Sequence, residues 1–355
     1  MTKKYNFMNI LRVLSMCAIV FYHMLITLYI YGIRQIDSIR FLFENANMHI
    51  AKIGVCLFFM LSGCGLMLSH RSSFNLKDFY IKRFFKILLP FYIVYAFYFL
   101  FLLATGQISM YNSFAGKNLK PYSFIFTLLG MDAYLDSFGI PTCSLGIGEW
   151  FLGCLILIYV LYPLLRWAMN KNKYITLLLF TVYYGLIIYF YSRIPLFNGV
   201  PMYTNLCIKI YDFVLGMFLS FFLEKRYKWE APVGLAIILI FIICPVQLPG
   251  IDSFLIPIQS LNIFLIFKAI DGLFSKTDKL MKVVNILAGI SYEYFLIHHV
   301  VILHLSKQGI NTSFSNSKIL ILFAEEIIIT VILAILLKRL MTKIYNIMHK
   351  KKGCP

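Results

Sequence analysis

The sequence predicts an all-α, polytopic integral membrane protein with about ten transmembrane helices, and three observations carry that expectation. Hydrophobic residues make up 61% of the chain and charged residues only 14%, with a mean hydropathy of +0.81, whereas a soluble domain carries about 25% charge. Apolar stretches of about 20 residues, the length that crosses the hydrocarbon layer as a helix, recur from one end to the other. Lysine and arginine fall unevenly between alternate connecting segments. A membrane barrel would need segments of about ten residues with alternating polarity, a pattern the sequence lacks.

Hydropathy places the spans at 8–31, 50–69, 84–105, 147–169, 173–191, 206–224, 231–249, 251–271, 283–305 and 319–341. Lys3 and Lys4 precede the first run as in a signal peptide, but the run is too long and lacks a small-residue cleavage site, so it is expected to be retained as a helix. Little more than the turn Pro249-Gly250 separates the seventh and eighth spans. An even number of spans puts both termini on one side. On that arrangement the inner segments, helix ends included, hold 23 lysines and arginines and the outer ones 9, with Arg12 inside a span. Basic residues are retained in the cytoplasm, so both termini are expected there. Trp150, Trp167 and Trp229 fall at span ends, where interfacial anchors belong.

The longest loop, 106–146, is placed outside and carries Tyr111, Asn112, Tyr122, Asp132, Tyr134 and Asp136; residues 122–131 suit a short interfacial helix. Residues 1–345 read as a single membrane-embedded domain and 346–355 as a short basic cytoplasmic tail. The net charge of +18 is explained by the inner loops, and no nucleic-acid motif accompanies it. The expected partner is therefore the lipid bilayer and no nucleic acid. The eight cysteines form no CxxC pair and lie mostly in apolar runs, as small hydrophobes do. Only Cys143 sits in an outer loop, so no intramolecular disulfide is expected there.

Chemistry begins with Arg12 and His23 in the first span, since an arginine inside a span costs about 2.5–3.5 kcal/mol on insertion scales. Eleven residues make about three turns, so the two side chains share a helical face about 16 Å apart along the axis. A snorkelling arginine with a packed histidine would produce the same pair. His298, fifteen residues into the ninth span, would reach the same depth as His23, about 22 Å. Lys82, Arg83 and Lys86 cluster at the inner end of the third span, where positive-inside anchoring alone could place them. Glu149 opens the fourth span, and Asp212, Glu293, Glu325 and Glu326 lie in or at the ends of others. A carboxylate can orient a histidine, although a buried cation such as Lys209 would account equally for Asp212. His299 and His304 read as packing or interfacial residues, and Ser62 and Gly63 as close helix contacts. No serine–histidine–aspartate spacing, phosphate-binding glycine loop or metal site is recognisable.

The segment NILRVLSMCAIVFYH at 9–23 resembles the opening of the integral-membrane acyltransferase family 3, whose hallmark is an arginine, ten residues and a histidine. Arg12 and His23 fit it, while Asn9 stands where the family usually has aspartate. Further blocks follow in order: GVCLFFMLSG at 54–63, KRFFKILLPFY at 82–92, WFLGCLILIYVLYP at 150–163, YDFVLGMFL at 211–219 and GISYEYFLIH at 289–298. Cys56 departs from an acidic residue common in the second block.

The resemblance implies an acyl-CoA-dependent O-acyltransferase. The donor would be acyl-CoA, with acetyl-CoA the commonest form, and no cofactor would stay bound. The acceptor would be a hydroxyl of a surface or lipid-linked glycan in a bacterial plasma membrane. Arg12, Lys82, Arg83 and Lys86 would then hold the phosphates of coenzyme A. His23 would act as general base or as a transient acyl carrier, with His298 and Glu149 as further catalytic candidates. A transporter or flippase for a sugar conjugate is the alternative, with Arg12 and His23 as its substrate or proton site. The topology has a direct test: a reporter fused after Pro355 should report cytoplasm, and a cysteine at Asn118 should be labelled by an impermeant reagent from outside. Protection of position 118 would overturn the map.

Overall fold

The computed structural model describes residues 5–32, 49–108, 119, 121–244, 251–274, 277–307 and 314–350. Lys3, Lys4, Tyr111, Asn112, Asn118, Pro249, Gly250, Lys351, Lys352 and Cys354 lie outside these residues. Every regular element among the described residues is helical, and no disulfide joins the described cysteines.

Helix α1 (Asn6–Ile30) has no side-chain cap of its own. Asp271 supplies one, accepting the Phe7 N–H at 2.8 Å and pairing with Arg226 at 2.8 Å. A carboxylate there satisfies an orphan donor and the positive end of the helix dipole. Helix α2 (Ile50–His70) starts at His49, whose side chain accepts the Lys52 N–H. It ends where Arg166 donates to the carbonyls of His70 and Arg71.

Helix α3 spans Leu76–Ala104, starting eight residues before the expected span because Asn75 caps the Asp78 N–H at 3.0 Å. The polar run Leu76–Arg83 hid this start from hydropathy. Over Phe84–Leu88 the helix widens into a π turn, with the Leu89 N–H bonded to the Phe84 carbonyl. Pro90 follows and cannot donate to the turn before it, which the wider turn accommodates. The segment between α3 and α4 carries short helical turns at Pro121–Ser123, Phe124–Leu128 and Asp132–Asp136, the first two overlapping the helix expected at 122–131.

The remaining helices are α4 (Glu149–Lys171), α5 (Lys173–Phe190), α6 (Leu206–Leu219), α7 (Glu230–Ile243), α8 (Ile251–Ala269), α9 (Asp278–Gly289), α10 (Ser291–Lys307) and α11 (Asn316–Lys350). Six helices are long and apolar enough to cross a membrane, namely α1 to α5 and α11. A seventh span results if α9 and α10 count as one, although they are bent by 68° at their junction. The expected span 283–305 is therefore broken at Gly289. Helices α7 and α8 are shorter apolar helices, and α6 has only 14 residues, ending where Arg71 donates to the Ser220 carbonyl at 2.7 Å.

The chain forms two compact units, one of Met1–Ser73 and Leu157–Gly289, the other of Phe74–Ile156 and Ile290–Pro355. In the first, α2 and α6 approach so closely that a Cβ on Gly63 would overlap the Phe213 carbonyl, and one on Gly216 the Met60 carbonyl. Small residues allow such backbone contact between membrane helices. Phe7, Leu11, Met60, Cys64, Leu215 and Phe264 are buried around this crossing. Ser62 shares a hydrogen bond with the Tyr159 hydroxyl at 2.9 Å. Charges here are paired: Lys209 with Asp212 at 2.8 Å, and Lys268 with Glu230.

In the second unit α10 packs on α11. Both oxygens of buried Glu326 accept hydroxyls, from Tyr294 at 2.8 Å and Thr330 at 3.0 Å, and Lys338 pairs with Glu293 at 2.8 Å. Tyr292 donates to the Ile87 carbonyl inside the π turn at 2.8 Å. The glycine crossing yields a stability prediction. Gly63→Ala or Gly216→Ala should destabilise the purified protein by about 1–3 kcal/mol through overpacking. Gly65→Ala, with open space around its Cβ, should not. Thermal unfolding in detergent compares the three.

Candidate active site

Arg12 and His23 belong to the first unit, and Glu149, His298, Lys82, Arg83 and Lys86 to the second. Arg12 and His23 lie on one unbroken helix, so their shared face survives folding. The half-buried guanidinium donates to the side-chain oxygen of Asn9 at 3.2 Å, and the Asn9 amide nitrogen donates to Asn285 on α9 at 2.7 Å. Asn9 thus accepts from Arg12 and donates to Asn285 with one uncharged side chain. Among the described residues no carboxylate pairs with Arg12, so its charge is held by a neutral amide. Such a cation within a span is suited to a transient anion.

His23 is half-buried one stretch of helix further on. Its ring lies 5.4 Å from that of Tyr22, which lies 5.4 Å from that of His49. The Thr27 hydroxyl donates to the His23 carbonyl at 2.7 Å, a local helix bond.

The second group is built where the segment after α3 enters α4. Asp132 anchors the loop, its backbone carbonyl accepting from Thr142 at 2.9 Å and its carboxylate from Thr127 at 3.1 Å. The Tyr95 hydroxyl holds the Cys143 carbonyl at 2.8 Å. Gly146 and Gly148 then take positive φ values of 76° and 74°, and Glu149 follows at 42°. Glu149 is the sole non-glycine with positive φ among the described residues. A side chain in that region is strained, by an amount on the order of 1–3 kcal/mol, and such strain gathers at functional sites.

That backbone brings the Glu149 carboxylate against the Nε2 of His299 and to 4.0 Å from the Nε2 of His298. Side-chain exposure is 16% for Glu149, 28% for His299 and 1% for His298. His298 Nδ1 lies 2.7 Å from the Phe295 carbonyl. A carbonyl only accepts, so Nδ1 carries a proton, and Nε2 is the ring nitrogen directed toward Glu149.

The other candidates sort by partner. Asp212 pairs with Lys209, Glu293 with Lys338 and Glu326 with two hydroxyls, as a structural role requires, while Glu325 is exposed. Lys82 and Lys86 are exposed and Arg83 half-exposed on α3, with the Arg83 guanidinium 5.6 Å from the Phe79 ring centre. His304 bonds the Val300 carbonyl through Nδ1 and packs on Tyr98 and Phe101, in keeping with packing. His299, read from sequence as packing, stands instead against Glu149. Adjacent helical residues point about 100° apart, so periodicity gave no reason to take both histidines to one carboxylate.

A family model described as an acyltransferase domain matches residues 5–339, running through both units. No curated protein and no solved structure matches the chain. The six sequence blocks, the Arg12–His23 face and this match over nearly the whole chain lead to one assignment: the chain belongs to acyltransferase family 3 and is an integral-membrane acyltransferase.

Proposed function

We propose that the protein is an acyl-CoA-dependent O-acyltransferase that moves an acyl group, acetyl as the first candidate, to a hydroxyl of a lipid-linked or cell-surface glycan. The observation that carries this reading is Arg12, a cation inside a span whose partner is the neutral side chain of Asn9. Its charge remains available for a phosphate, on the same helical face as His23. In this reading both termini lie in the cytoplasm of a bacterial cell and the chain makes about ten passages of the membrane. No observation favours transport of a sugar conjugate.

Acyl-CoA carries phosphates that do not cross lipid, so its nucleotide end docks at the inner face on Arg12, Lys82, Arg83 and Lys86. The pantetheine arm then directs the thioester toward His23. A neutral imidazole has an ordinary pKa near 6.5 and suits proton removal from a hydroxyl at neutral pH. The acceptor oxygen bonds to the acyl carbon as its proton passes to His23, the carbon–sulfur bond breaks, and the leaving thiolate takes that proton. Glu149 and His298 complete the proposed catalytic set, with a role that depends on what they bind. If His23 instead attacks first, an acyl-imidazole forms and the acceptor resolves it.

Two measurements on purified protein in lipid test this. Arg12→Ala, or neutralisation of Lys82, Arg83 and Lys86 together, should raise the KM for acetyl-CoA with kcat largely kept, since docking is placed apart from bond making. An unchanged KM would return these cations to anchoring. His23→Gln should lower acceptor-dependent release of coenzyme A by at least about a hundred-fold at equal folded protein. Retention of more than about a tenth of wild-type turnover would remove His23 from the chemistry.

A further inference from the structure

We propose that Glu149, His298 and His299 together hold one divalent metal ion of the zinc class. Each offers one ligand atom, a carboxylate oxygen or an imidazole nitrogen, and these atoms lie within 4.8 Å of one another. Ligands at about 2.0–2.2 Å from a zinc ion stand about 3–4 Å apart, so His299 and Glu149, now in direct contact, would part slightly to admit the ion while His298 stays near its present distance. His298 Nε2 and Glu149 Oε1 are already 4.0 Å apart.

Three further features suit a metal. His298 donates its Nδ1 proton to the Phe295 carbonyl at 2.7 Å. This outer-shell bond characteristically fixes a metal-binding imidazole with Nε2 toward the ion. Glu149 is held by the strained backbone after Gly148, which sets its carboxylate without a flexible loop. Two imidazoles and one carboxylate form a borderline donor set that zinc accepts. No ligand spacing in the sequence signals this site, because Glu149 is remote in the chain from the adjacent histidines. Binding of the ion does not depend on the acyl-transfer reading, so the two fail separately.

The test uses the full-length protein, stripped with chelator, reloaded with zinc chloride, desalted, and assayed for metal by mass spectrometry. Wild type and His304→Ala should hold about one zinc per chain, and Glu149→Gln with His299→Gln less than about a tenth of that. Size-exclusion profiles establish that each variant is folded. If the double variant does not fold, cobalt loading of the wild type decides: intense visible bands of a four-coordinate nitrogen–oxygen site support the proposal, and their absence sinks it. Less than about a tenth of an equivalent in wild type, or equal zinc in the folded double variant, would also overturn it. A failure of acetyl-CoA turnover with zinc still bound would count against the acyltransferase reading alone.

Discussion

Charge inside a hydrocarbon layer must be answered within the protein, and the structure depends on how it meets that demand. Asp271 answers twice, with one oxygen on the first turn of α1 and the other on Arg226. Lys209 with Asp212, Lys268 with Glu230 and Lys338 with Glu293 answer one charge with its opposite. Breaking Lys209–Asp212 or Lys268–Glu230, each buried on both sides, leaves a buried charge uncompensated and costs about 3–5 kcal/mol, so these groups hold helices together. Arg12 and Glu149 are treated differently. Arg12 is met by a neutral amide, and Glu149 by imidazoles whose charge is adjustable. Charges met by an opposite charge are thereby set apart from Arg12 and Glu149, a division that burial alone does not make.

How much of this the sequence discloses depends on what hydropathy can see. Helices α1, α2, α4 and α5 agree with their expected spans within a few residues, because each is a long apolar run bounded by polar residues. The start of α3 is invisible to hydropathy, since Leu76–Arg83 is polar and its helix is set by the Asn75 cap. The break at Gly289 is invisible too, because apolar character continues while the backbone changes direction. Helix α6 stops early through a tertiary contact, Arg71 on the Ser220 carbonyl, which no local pattern encodes.

The candidate site divides along the same line. Arg12 and His23 are legible because one helix carries both and its 3.6-residue repeat aligns them. Asn285 and His299 are not, since each acquires its place from a partner distant in sequence. The acids show the value of seeing partners: several look alike as carboxylates in apolar spans, and the structure gives Asp212, Glu293 and Glu326 their own donors.

The π turn at Phe84–Leu88 acts as a change of helical phase. One residue more than an α-helix needs is taken up in that turn, so everything beyond it is rotated by about 100° relative to an uninterrupted helix. Side chains before the turn, among them Lys82 and Arg83, are therefore offset by that angle from the register that Tyr95 and Tyr98 follow after it. A deletion of one residue between 84 and 88 would put both halves back in a single register. It would turn the basic segment away from its present direction and dislodge the carbonyl that Tyr292 grips.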